Sequence, residues 1–145
     1  MSSGTHKLFQ GGKIKMTTTL FEAAESAKIL NPFLEQILPG SISLKICDNM
    51  DILVRKGQFL EQEIRKLVTA YGAVAFDPDN NDSRLVVKTE DGDVDEEKTK
   101  EFVNKVVELR KTEVDLDVRP FTEDDIERLE IAPVSVAQIR WMIER

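Results

Sequence analysis

A series of apolar residues with heptad spacing runs through the middle of the sequence and constrains the fold more than any other feature. Its members, called the seam below, recur every three or four residues: Ile42, Ile46, Met50, Leu53, Gly57, Leu60, Ile64, Leu67 and Tyr71. This spacing is typical of one face of a long amphipathic helix. Ser41 suits the N-cap and Gly72 the C-terminal end, so we predict a helix of about 30 residues and roughly 45 Å. Such a helix needs apolar cover along its length.

Gly57 is the one seam position without a side chain. Glycine inside a helix costs about 1 kcal/mol relative to alanine. Either another backbone approaches closely at this point, or the helix is kinked there.

A second amphipathic helix is predicted from about Asp93 to Thr112. Its apolar positions follow a 3.6-residue period: Phe102, Val103, Val106 and Leu109. We expect it to pack antiparallel against the seam. Between the two helices, Ala73–Phe76 and Arg84–Thr89 are predicted to form a small β-hairpin at the distal tip.

Two further strands are predicted near the termini. Lys13–Met16 is one, and Val114–Val118 alternates apolar with acidic residues in the pattern of a half-buried strand. The predicted fold class is therefore α+β, mainly α: a long antiparallel helical hairpin with a β-hairpin at its tip and a short sheet near the termini. We predict a single α-rich domain over residues 13–145, preceded by an extension, residues 1–12, that is flexible or forms a hairpin.

The C-terminal region carries the candidate binding residues. Thr122 is placed to cap a short helix, and Ser135 is placed to open a last helix through about Glu144. That last helix carries Trp141, Met142 and Ile143 together, which is more apolar surface than one helix face can bury. Two alternatives are open: Trp141 packs into the core, or the excess apolar surface of these three residues binds a partner protein or a second copy of the chain.

One loop has a partial calcium-binding pattern. Asp77, Asp79 and Asn81 occupy positions 1, 3 and 5 of such a loop, but Asp82 and Lys88 stand where glycine and a bidentate glutamate are needed. We predict no metal site, and we interpret these residues as the polar loop of the hairpin.

The sequence also lacks the pairings that covalent and acid–base catalysis need. Its one cysteine, Cys47, falls within the predicted long helix, and its one histidine, His6, falls within the predicted N-terminal extension. Cys47 is therefore predicted to be a buried or half-buried thiol rather than a nucleophile. No phosphate-binding loop or nucleophile elbow is present, so we expect neither an enzyme nor a cofactor.

Charge and hydropathy restrict the partners. The net charge is −7, and after the first 16 residues the chain holds 17 basic and 27 acidic side chains. Such a body repels phosphate backbones, so we expect no nucleic-acid binding. No apolar run approaches the roughly 20 residues that cross a bilayer, so we expect no membrane insertion. The expected partner is another protein or the chain itself.

The order of these features resembles a family of small uncharacterised bacteriophage proteins. The resemblance is carried by Lys13–Met16, Leu30–Gly40, Lys45–Leu53, Tyr71-Gly72, Phe121–Leu129 and Ile131–Met142. It implies a viral protein that resides in the cytoplasm of the infected bacterium or in the virion. It supplies no catalytic or binding residues.

Two functional hypotheses follow. The first is a non-enzymatic phage accessory or structural protein that acts through protein–protein contacts. The alternative is an acidic module that binds and inhibits a host protein by mimicking nucleic acid. Ten acids between Asp77 and Glu101 gathered on one surface would favour mimicry, whereas an apolar patch near the C-terminus would favour the first hypothesis.

Overall fold

Helices make up most of the computed structural model, which describes residues 12–76 and 85–144. In chain order the elements are β1 (Ile14–Thr19), α1 (Leu20–Leu30), a 3₁₀ helix (Asn31–Glu35), α2 (Gly40–Tyr71), β2 (Val74–Phe76), β3 (Leu85–Val87), α3 (Glu96–Arg110), β4 (Glu113–Val118), α4 (Glu123–Leu129), α5 (Pro133–Ile139) and a second 3₁₀ helix (Arg140–Met142). Two antiparallel sheets of two strands each are present, β1–β4 and β2–β3. The α+β, mainly α class is confirmed. The predicted extension falls on residues 1–12, of which 1–11 lie outside the described residues.

Helix α2 carries the whole seam, as predicted. It begins at Gly40, two residues earlier than a Ser41 cap predicts, because the Pro39 carbonyl accepts the amides of both Ile42 and Ser43 at 3.0 Å. Ser41 therefore lies inside the first turn and is not the cap. Gly72 ends the helix with a φ of +77°, a conformation that favours glycine.

Backbone contacts divide the chain into two compact units. One contains the described residues up to Gln58 together with those from Glu113 onward, and the other contains Phe59–Thr112. Helix α2 thus contributes its first part to one unit and its second part to the other. The prediction of one domain over residues 13–145 stays a prediction.

The first unit is organised around the first half of the seam. Its buried apolar core draws on α1, α2, β4 and the C-terminal helices: Ala23, Leu30, Ile42, Ile46, Met50, Leu53, Leu116, Val118, Phe121, Leu129, Ile139 and Met142. At Gly57, a methyl group would lie 3.6 Å from the Ala24 Cβ, which is ordinary van der Waals contact. The close approach of α1 is therefore observed at the glycine.

A side-chain clamp fixes the residue that follows β4 to α2 in this unit. Asn49 is 1% exposed, and its Nδ2 donates to the Arg119 carbonyl at 2.9 Å while its Oδ1 accepts the Arg119 amide at 2.8 Å. Asp48 accepts a further hydrogen bond from the Arg119 Nε at 2.5 Å. The start of the C-terminal segment is thereby held against α2.

The second unit has its own small core. Val87, Phe102 and Val106 are buried, and partly buried side chains of α2, β2 and β3 pack on them: Ile64, Leu67, Val68, Tyr71, Val74 and Leu85. The Tyr71 and Phe102 rings meet edge to face with their centroids 5.5 Å apart. The β2–β3 hairpin is confirmed. Helix α3 begins later than predicted, because Asp95 rather than Asp93 caps it, accepting the Lys98 amide at 3.0 Å.

The strand near the N-terminus pairs with β4, as predicted. The register places Ile14 opposite Val118 and Thr19 opposite Glu113. Strand β1 is longer than expected because it continues through Thr19, which also caps α1 by accepting the Glu22 amide. Among the described residues, no helix is long and apolar enough to cross a membrane.

Candidate partner-binding cleft

Helix α4 is fixed at its start by a capping box, as the sequence pattern at Thr122 predicts in part. The Thr122 hydroxyl accepts the Asp125 amide at 3.1 Å, and the Asp125 carboxylate accepts the Thr122 amide at 2.9 Å. The same carboxylate oxygen, Oδ2, also pairs with the Lys45 ammonium of α2 at 2.6 Å. One buried acid therefore both caps α4 and ties it to the long helix.

This environment shifts the titration of Asp125. Burial raises the pKa of its carboxyl, but the Lys45 ammonium and the hydrogen bonds from Thr122 act in the opposite direction and outweigh burial. The net effect is a pKa below the ordinary aspartate value, so the carboxylate stays charged, and the tie to Lys45 persists, to lower pH than for an ordinary aspartate.

The last helix is shorter than predicted. Helix α5 begins at Pro133 rather than Ser135, because proline is favourable at the first helical position, and it ends at Ile139 rather than near Glu144. A 3₁₀ turn follows over Arg140–Met142, and the backbone is extended at Ile143.

Backbone pairing with Phe121 explains this early end. The Phe121 amide donates to the Met142 carbonyl at 2.8 Å, and the Glu144 amide donates to the Phe121 carbonyl at 2.7 Å, which forms a parallel bridge between Phe121 and Ile143. These bonds require extended backbone at Ile143, so the helix cannot continue.

The three residues predicted to bind a partner are consequently placed in three different surroundings. Met142 is fully buried in the core. Trp141 is half-buried, and its indole Nε1 donates to the Ser26 hydroxyl of α1 at 2.9 Å. Ile143 is half-buried and lines a surface cleft. The structure therefore does not gather them into one apolar patch. The 3₁₀ turn buries Met142 and brings Trp141 to α1, and the extended backbone that follows places Ile143 at the cleft.

The cleft to which Ile143 contributes lies within the first unit and has a volume of about 710 Å³. We call it the C-terminal cleft. Three half-buried apolar side chains and four exposed charged ones line it: Ile126, Val136 and Ile143, and Glu123, Glu127, Arg140 and Glu144. The cleft is thus an apolar depression with a charged rim that carries three carboxylates and one guanidinium.

The rim charges differ from the neighbouring charges in how they are compensated. On the same helix, Asp124 pairs with Arg128 and Asp125 pairs with Lys45. Within the described parts of the chain, no ion pair joins Glu123, Glu127 or Glu144 to a base. The rim therefore presents net negative charge to whatever occupies the cleft.

The other candidate residues lie elsewhere. Asp77, Asp79 and Asn81 fall outside the described residues, and among residues 12–76 and 85–144 no group of three or more His, Cys, Asp or Glu is placed to hold a metal ion. The prediction of a buried Cys47 is wrong, because its thiol is exposed on α2. It follows Ile46 directly and so lies outside the seam.

Sequence reasoning missed several residues that position the cleft. Ser26 is buried and joins α1 to Trp141, and Lys45 joins α2 to the capping aspartate. Each acts across 80 residues or more. A serine or a lysine within a helical pattern gives no local signal of such contacts. Glu123 and Glu127 do give a local sequence signal, because they are four residues apart on α4 and so lie on one helix face beside Ile126.

Comparison with protein-family models, with curated proteins and with solved structures finds no match to this chain.

Proposed function

We propose that this protein is a non-enzymatic phage accessory or structural protein that acts through protein–protein contacts, with the C-terminal cleft as its contact surface. The observation that carries the proposal is the apolar floor of Ile126, Val136 and Ile143 beneath a rim of three glutamates and one arginine. Apolar depressions with polar rims are common at protein contact sites. Of the three residues predicted from sequence to bind a partner, Ile143 is the one that lines this cleft.

A helical hairpin in the second unit is part of the same proposal. The second half of α2 and α3 are inferred to form an antiparallel helical hairpin with the β2–β3 hairpin at its tip. The Tyr71–Phe102 ring contact and the packing of Leu67 against the small core support that arrangement. Viral origin, with residence in the cytoplasm of an infected bacterium or in the virion, is part of the same proposal.

Nucleic-acid mimicry is the second candidate. The described acids from Glu90 to Glu97 are mostly exposed, which is what mimicry needs. Exposed Lys98 and Lys100 follow them directly, however, and Glu101 pairs with Lys105 at 3.6 Å. Interleaved positive charge weakens a phosphate-like surface, so the cleft is the better-supported contact site.

Site-specific photo-crosslinking in the infected bacterium tests the first proposal. A photoreactive residue in place of Val136 is expected to give one adduct of defined mass. The same residue at Val103 of α3, an exposed valine outside the cleft, is the matched control and is expected to give none. No adduct from Val136, or the same adduct from both positions, contradicts the proposal.

Light scattering of the purified chain over a wide concentration range then separates the two kinds of partner. A mass that rises with concentration to a defined oligomer identifies a second copy. A constant monomer mass, together with a crosslinked adduct, identifies a foreign protein.

A further inference from the structure

We infer that the C-terminal cleft receives a basic, amphipathic segment of a partner protein, in which apolar side chains are flanked by lysine or arginine. The inference rests on the proposed function and names the chemistry of the partner. It is carried by the combination of an apolar floor with a rim that has three glutamates and one arginine.

The floor determines the apolar half of this chemistry. Ile126, Val136 and Ile143 come from α4, α5 and the extended C-terminal segment, so they form a depression rather than a ridge. Depressions of about 300–1,000 Å³ accommodate ligand groups, and amphipathic helices dock apolar anchors into such grooves. The volume of about 710 Å³ suits a few anchor side chains.

The rim determines the charged half. Glu123 and Glu127 are four residues apart on α4, and like charges at this spacing repel each other. Glu127 also lies in the last turn of the helix, where the helix dipole disfavours a negative charge. Helix stability therefore does not explain Glu127, whereas a cationic partner would relieve the repulsion.

Arg140 gives the rim one positive charge. Among the described residues it is the single basic side chain of the lining, and no ion pair joins it to the rim glutamates. Three carboxylates still outnumber this one guanidinium, so the described rim favours a basic rather than an acidic partner segment.

Binding of a synthetic probe tests the inference. The probe is a fluorescently labelled peptide of leucine and lysine with leucines at helical spacing, titrated by anisotropy at low and moderate salt. We expect saturable binding that weakens as salt rises. A peptide with glutamate in place of every lysine is expected not to bind, and one with serine in place of every leucine is expected to bind at least tenfold more weakly.

Variants of the protein place the binding in the cleft. Glu127→Lys is expected to weaken the leucine–lysine peptide at least tenfold. Asp91→Lys makes the same charge change at an exposed turn of the other unit and is expected to change the affinity less than twofold. Equal weakening by both variants would show general charge attraction and overturn the inference.

The outcomes for the two proposals are separable. Photo-crosslinking is repeated in a lysate of the infected bacterium, with the leucine–lysine peptide added before irradiation. A Val136 adduct that the peptide suppresses supports the inference. A Val136 adduct that forms undiminished overturns the inference and leaves the proposed function standing. Absence of the Val136 adduct overturns the proposed function itself.

Discussion

Replacing Asn49 by alanine removes the clamp between α2 and Arg119, and its cost can be worked from the structure. Both amide atoms of Asn49 are hydrogen-bonded, to the Arg119 carbonyl and amide at 2.9 and 2.8 Å, and the residue is 1% exposed. Leaving a buried backbone group unpaired costs about 1–3 kcal/mol. Because Arg119 is only half-buried, water can reach part of the gap, and we expect a total loss of about 2–4 kcal/mol.

Urea unfolding followed by far-UV circular dichroism measures this loss. The melting temperature of a chain of this size should fall by roughly 5–12 °C for the same variant. Asn104→Ala, at an exposed position of α3, is the matched control and should change the free energy of unfolding by less than about 0.5 kcal/mol.

A second variant separates hydrogen bonding from lost volume. Asn49→Leu restores side-chain volume but leaves the Arg119 amide and carbonyl unpaired, so it should be about as unstable as Asn49→Ala. If Asn49→Leu is as stable as the wild type, or if Asn49→Ala loses less than about 1 kcal/mol, the reasoning is refuted.

Three further changes have defined outcomes. Gly57→Ala places a methyl group in ordinary contact, 3.6 Å from the Ala24 Cβ. It should stabilise the chain by about 0.5–1 kcal/mol in the same unfolding assay. A loss of stability would show that α1 cannot accept the methyl group. Leu60→Asp puts a carboxylate at a 6% exposed position and should lower the free energy of unfolding by at least about 3 kcal/mol. Gln58→Asp, at an exposed position, should lower it by less than about 1 kcal/mol. Equal losses would refute the burial of the seam. The pKa of Asp125 is lower in the folded chain than in the unfolded chain, where it is about 4. Its charged form therefore stabilises the fold at pH values above about 4, and this effect is lost as the pH falls through the folded pKa. The stability advantage of wild type over Asp125→Asn should therefore shrink below about pH 4, and an advantage that is constant from pH 7 to pH 3 would contradict the assignment.

Local sequence patterns predict most of the secondary structure. The seam spacing identifies α2, and the alternation at Val114–Val118 identifies β4, because both patterns reflect which face is buried. Thr122 marks a helix start because its hydroxyl accepts an early amide.

The cleft depends on contacts that these patterns do not contain. The residues after Ile139 are compatible with a helix by composition, but pairing with Phe121 extends the backbone at Ile143. The Lys45–Asp125 tie joins positions 80 residues apart. Such long-range contacts decide that Met142 is buried and Ile143 faces the cleft, and a single sequence gives no sign of them.

The most direct test of the central claim is methyl NMR of the intact chain during titration with the leucine–lysine peptide. If the C-terminal cleft receives a basic apolar segment, the methyl resonances of Ile126, Val136 and Ile143 should shift together and saturate. Those of Val103 and Val107, exposed on α3, should stay in place. Shifts confined to α3, or spread evenly over both units, would contradict the account.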